Sequence, residues 1–129
     1  FDKTYKDTTG CKRIFRASKN KIRSEDMKTL IVMFDLKPGQ SVEEYEEFAK
    51  TIDVPGVKRM NSVDEFRVYK SESLLFSEDA PPCQYFEVIE INDMDEFGNE
   101  VQADSAQEVA TKFQSMVDNL KFILTDQTA

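Results

Sequence analysis

The chain has no histidine and only two cysteines among its 129 residues. Without histidine, Ser-His-Asp and Cys-His catalysis are excluded, as are histidine-held zinc and histidine-ligated haem. Acid–base chemistry must then come from Asp, Glu, Tyr, Lys, Arg, Cys or a bound water. Cys11 and Cys83 cannot form a disulfide framework and read as reduced thiols of a cytoplasmic protein. Apolar runs are only a few residues long, so no segment matches the roughly 20 residues that a membrane helix needs. The basic start lacks the apolar core of a signal peptide.

The length suits one domain with a real core. Charge divides it unevenly. Residues 1–26 hold eight Lys/Arg and four Asp/Glu, a net of +4; residues 27–129 hold nine and twenty-one, a net of −12. The acidic body should repel nucleic acid and anionic membranes, and neither is an expected partner. Residues 1–26 show no sustained periodicity and read as a basic extension or leader before a domain spanning 27–129, with Met27 as a candidate native start.

The first strand is Thr29–Leu36, apolar on both faces. A Lys37-Pro38-Gly39-Gln40 turn follows, then a capping box of Ser41 with Glu44. Val42, Tyr45, Phe48, Ala49 and Ile52 mark one face of the helix it opens, and Asp53-Val54-Pro55-Gly56 should end it. Val57 to Leu75 reads as extended, with Phe66 and Val68 on one face, Arg67 and Tyr69 on the other, and a bend or bulge at Asn61-Ser62. Phe76–Cys83 is a loop. Tyr85–Asn92 is a strand expected to pair antiparallel with the Arg67/Tyr69 segment. Asp93–Gly98 is a turn or short helix with a partial calcium-loop spacing. Phe97 stands at a ligand position there and Asp104 replaces the bidentate glutamate, so no metal is expected. Ser105 with Glu108 suggests a second capping box, opening a helix whose apolar face runs from Ala106 to Leu120. Lys121–Thr125 is the last strand.

This order is β-α-β-β-α-β. It predicts an α+β, ferredoxin-like fold: a four-stranded antiparallel sheet with helices on one face. Two strands are apolar on both faces, so the uncovered face needs a partner. The simplest is an identical sheet, giving a homodimer by sheet-to-sheet packing, a dimeric α+β barrel.

Three stretches carry a family resemblance: Leu30–Gly39, Phe66-Arg67-Val68-Tyr69 and Tyr85–Asn92. They resemble the RedY-like proteins of prodiginine pigment pathways, of the HapK type, within the dimeric α+β-barrel superfamily. The resemblance covers about Met27 to Thr125. It implies a small biosynthetic protein in a tripyrrole-pigment pathway that handles an aromatic or pyrrole metabolite without a cofactor. It also implies a ligand site between sheet and helices.

The site residues follow from the chemistry of the Tyr85–Asn92 strand. Glu87 and Glu90 are three apart, so they point to opposite faces, and one should enter the pocket. A desolvated glutamate could move a proton in a condensation, cyclisation or dehydration. Glu90 is favoured, with Asn92 on its face, and Glu87 and Tyr69 complete the catalytic candidates. Arg67, Asp35, Phe86, Asn92 and Tyr45 are the ligand-binding candidates. Plainer roles are also open: Arg67 paired across the strands with a glutamate, Asp35 as a strand-end cap, Tyr45 as packing. Besides an enzyme, the sequence admits a non-catalytic carrier of a pigment precursor and a cofactor-free monooxygenase.

Overall fold

Apolar alternation decides which side of each strand is buried, and the helices cover that side. The computed structural model describes residues 27–129; the expected leader, residues 1–26, lies outside the described residues. The elements are β1 (Lys28–Leu36), α1 (Val42–Phe48), a π-helical segment (Ala49–Asp53), α2 (Val54–Lys58), β2 (Val63–Lys70), β3 (Tyr85–Ile91), α3 (Met94–Glu100), α4 (Asp104–Met116) and β4 (Val117–Thr125). The sheet order is β2-β3-β1-β4, antiparallel throughout. This is the expected ferredoxin-like α+β fold, a four-stranded antiparallel sheet with helices on one face.

Val32, Phe34 and Leu36 of β1 and Tyr85, Ile89 and Ile91 of β3 are buried on the helix side. Tyr45, Phe48 and Ala49 come down onto them from one helical arm, Phe113 and Met116 from the other. Phe34 is the hub. It stacks on Tyr85 at 5.5 Å and meets Tyr45 and Phe113 edge-on at 5.6 and 5.0 Å. Such aromatic pairs stabilise beyond their area, and they fix where both arms sit on the sheet.

Strand pairing sets the opposite face in rows. Tyr69, Phe86, Met33 and Lys121 form one row; Arg67, Val88, Ile31 and Ile123 form the next. Their apolar members lie half-buried or exposed, with no described element over them.

Several local expectations are corrected. The first helix does not stop at Asp53. Backbone helicity runs through the π turn into α2, with the Val54 N–H bonded to Ala49 O, five residues back. Pro55 sits in the first turn of α2, where its missing N–H breaks nothing. The Ser41 cap forms as expected, its side chain accepting from the Glu44 N–H. The Ser105 box does not: α4 starts two residues earlier, with Ala103 at the cap and no side-chain bond. Val117 and Leu120 belong to β4, not to the preceding helix. Asn119 takes a positive φ of 55° and its amide donates to Asp35 at 2.8 Å, where the β1–β4 register shifts. Asparagine tolerates that conformation, so the chain passes from helix to strand without a loop. The β2 bulge falls between Val63 and Glu65, just after the expected Asn61-Ser62 bend. Asp93 caps α3 by accepting from the Glu96 N–H, and Met94–Gly98 forms the short helix, one of the two expectations there.

Candidate functional site

Between the sheet and the helical arms lies a cavity of about 910 Å³. Its deep end is formed by buried residues: Phe66 of β2, Glu87 and Ile89 of β3, Asp53 of the π turn and Phe113 of α4. Its mouth is formed by exposed ones, among them Ile52, Arg59, Gln107 and Phe122. The volume and the mainly apolar walls suit a small organic molecule.

Two carboxylates sit at the deep end. Glu87 is 4% exposed and Asp53 6%. Glu87 shares its face with Tyr85, Ile89 and Ile91, and its cross-strand neighbours are Val32 and Val68. Neither strand offers it a cation, and its Oε2 has no hydrogen-bond partner. Asp53 reaches the cavity through the π turn. A regular helix continuing the Tyr45, Phe48 and Ala49 stripe would bring Ile52 inward. The wider turn moves the stripe on by one residue, leaving Ile52 49% exposed and Asp53 buried. Among the described residues, no Lys or Arg forms an ion pair with either carboxylate.

Burial without compensation favours the neutral acid. Burial pushes Asp53 up to about 6. It raises Glu87 well above the usual carboxylate range, and the nearby charge of Asp53 raises it further. Asp53 ionises first, so Glu87 faces an anion whereas Asp53 faces a neutral acid. The deep end therefore favours one carboxylic acid, Glu87, beside one carboxylate, Asp53, a donor beside an acceptor. Tyr45 is buried behind them, its hydroxyl also without a partner. Burial first, then the charges of Glu87 and Asp53, keep that phenol neutral. The Tyr85 hydroxyl donates to Glu46 at 2.8 Å and is likewise held neutral, by burial and then by that bond.

Of the residues expected at the site, Glu87 alone lines the cavity, with Tyr45 packed behind it. The favoured Glu90 does not face the helices. The period of two that turns Tyr85, Glu87, Ile89 and Ile91 inward turns Phe86, Val88 and Glu90 to the open face. There Glu90 accepts from Arg67 Nη2 at 2.9 Å, and Arg67 Nε donates to Tyr69 Oη at 3.1 Å. Phe86 lies between Met33 and Tyr69 on that face. Asn92 ties β3 to the β2 bulge, donating to Asp64 at 2.8 Å and to Asn61 O at 3.1 Å. Asp35 accepts from the Gln84 N–H and the Asn119 amide, both at 2.8 Å, a structural clasp. Asp53 went unrecognised because Asp-Val-Pro-Gly reads as a helix stop. The signal that could have found it is the spacing of four through Tyr45, Ala49, Asp53 and Val57.

Residues 28–128 match the family described as REDY-like protein HapK. The chain belongs to that family. Among solved structures, HapK from Hahella chejuensis is similar at 21% identity and a TM-score of 0.63, over 78% of this chain and 92% of its own. The hydroxynitrile lyase of Passiflora edulis is 12% identical with a TM-score of 0.67, over 82% of this chain and 99% of that one. SnoaB of Streptomyces nogalater, described as a cofactor-independent oxygenase, is 16% identical with a TM-score of 0.62, over 81% and 95%. At these identities the likenesses establish the fold. No curated protein sequence matches the chain. Among the described residues no helix is long and apolar enough to cross a membrane.

Proposed function

We propose that this REDY-like protein binds a pyrrole or bipyrrole intermediate of a prodiginine-type pathway in the sheet–helix cavity and assists its condensation, cyclisation or dehydration by proton transfer. One observation carries the reading: two buried carboxylates, unmatched by a cation among the described residues, meet at the deep end of an apolar cavity. Desolvated carboxyls with separated affinities for a proton are suited to acid–base work. In a dehydration, the Glu87 acid protonates a hydroxyl that departs as water. The Asp53 carboxylate takes the proton from the adjacent N–H or C–H as the new double bond forms. The aromatic walls from Phe66 and Phe113 hold a flat ring.

The test is turnover of a bipyrrole substrate by the wild type and by Glu87→Gln, Asp53→Asn and Glu90→Gln. The first two should lose on the order of 10²–10⁴-fold in rate; Glu90→Gln should stay within a few-fold. Binding without turnover, unaffected by Glu87→Gln and Asp53→Asn, would replace the enzyme with a carrier. Oxygen uptake with an anthrone-like or quinol substrate would replace it with a cofactor-free oxygenase.

The open face supports a second part of the proposal, a homodimer with sheet against sheet. Ile31, Met33, Phe86 and Val88 form an apolar band on the face away from the helices, and a second copy would remove it from water.

A further inference from the structure

We infer that the deep end of the cavity is a subsite for a positively charged nitrogen on a flat apolar body, held between Glu87 and Asp53. The inference deepens the proposed function and rests on its placing of the ligand in this cavity. Glu87 is more than nine-tenths buried, lines the cavity, and keeps Oε2 without a partner. Asp53 lines the same cavity from the π turn of the helical arm and is also buried. The sheet residues beside Glu87 are Val32 and Val68, so no cation comes from the strands. A folded chain rarely leaves acidic groups buried without a counter-charge. A ligand ammonium, amidinium or iminium supplies one, its N–H groups donating to both carboxylates.

Other occupants fit less well. A hard metal ion wants six or more oxygen ligands, and the described residues contain no group of three or more metal-binding side chains. The walls around the pair are Leu30, Phe66, Ile89 and Phe113, which match an aromatic or aliphatic body. An anionic ligand would meet two acids with a phenol behind them. Arg59 also lines the cavity, but at the exposed mouth.

Binding is coupled to protons. The cation favours the ionised form of both acids, so Glu87 gives up its proton as the ligand enters. The titratable groups around the pair are Tyr45 and Glu46 from α1, Tyr85 from β3, Glu100 from α3 and Arg59 next to α2. Both phenols are held neutral well above neutral pH. Glu100 lies below the ordinary carboxylate range, held there by Ser62. None of these three changes charge between pH 5 and 7.

The experiment compares 1-naphthylmethylammonium with 1-naphthylmethanol by titration calorimetry on the full chain, in two buffers of different ionisation enthalpy. The ammonium should bind at least tenfold tighter at pH 7 and release protons. Its affinity should fall at least about a hundredfold between pH 7 and pH 5, since one proton released on binding is worth about tenfold per pH unit, while the alcohol stays level. Asp53→Asn and Glu87→Gln should each erase most of the preference without weakening the alcohol, with circular dichroism reporting that they fold. Equal binding of the two probes, no proton release, or no binding of either at millimolar concentration would overturn the inference. An ammonium preference without bipyrrole turnover would leave the subsite standing and remove the proposed reaction. Turnover of a bipyrrole with no ammonium preference would do the reverse.

Discussion

Replacing Asp53 by asparagine should make the protein more stable at neutral pH, and the gain should vanish on acidification. Asp53 moves from an ordinary 3.8 to about 6 in the folded chain. A folded carboxyl with a raised pKa binds its proton more tightly than the unfolded chain does. Its stabilising contribution is therefore complete below about pH 3.8 and is lost as pH rises through 6. At 1.36 kcal/mol per unit, the full span is about 3 kcal/mol, of which about 2.5 kcal/mol falls between pH 4 and pH 7. Asparagine is isosteric and cannot ionise. Its amide must be accommodated in the same place, a constant offset of about 1–2 kcal/mol that does not vary with pH. The difference between variant and wild type removes every group common to both. It should rise by about 2–3 kcal/mol from pH 4 to pH 7 in urea titrations followed by circular dichroism. Glu87, raised for the same reason, adds in the same direction through its coupling to Asp53. A difference that stays level across that range, or slopes the other way, would refute the reasoning.

Three further outcomes follow from the packing. Tyr45→Phe removes a buried hydroxyl that has no partner while keeping the ring against Phe34 and Tyr85; stability in urea should hold or rise by up to about 1 kcal/mol, and a loss of more than that would mean the hydroxyl is bonded. Phe34→Ala removes the ring on which both helical arms rest and should cost about 3–5 kcal/mol, read as a shift of the urea midpoint. Ile31→Asp, at the middle of the open face, should turn the proposed dimer into a monomer in sedimentation velocity without unfolding it; a wild type already monomeric at micromolar concentration would dismiss the dimer.

The strands were legible because their signal is local. Leu30 to Leu36 and Tyr85 to Ile91 carry enough β-branched and aromatic residues for propensity and burial to agree. The order of elements then left few topologies. Helix ends were less legible. Asp-Val-Pro-Gly stops most helices, but here a π turn takes the proline into a first turn, an outcome set by packing on the sheet and not by the tetrapeptide. The Asn119 bulge likewise hides the end of α4, since Val117 and Leu120 continue its apolar stripe in sequence while lying in a strand in space. At the site, the two glutamates of β3 were rightly assigned to opposite faces. Which face meets the helices depends on the pairing of the whole sheet, information that a heptapeptide does not contain. Asn92 favoured the wrong side because its amide serves the β2 bulge, a partner remote in sequence.

The π turn at Ala49–Asp53 has a further consequence. It holds one residue more than the regular helix that could stand in its place, and the helical segments on either side are continuous with it. A single-codon deletion of Asp53 would let α1 run straight into α2 as a regular helix, with Ile52 turned inward in its place. The sheet, with Glu87 on it, would be untouched. The second acid is thus carried on a detachable position: this architecture can switch between a one-acid and a two-acid cavity by gaining or losing one residue in a helix, with no change to the strands beneath.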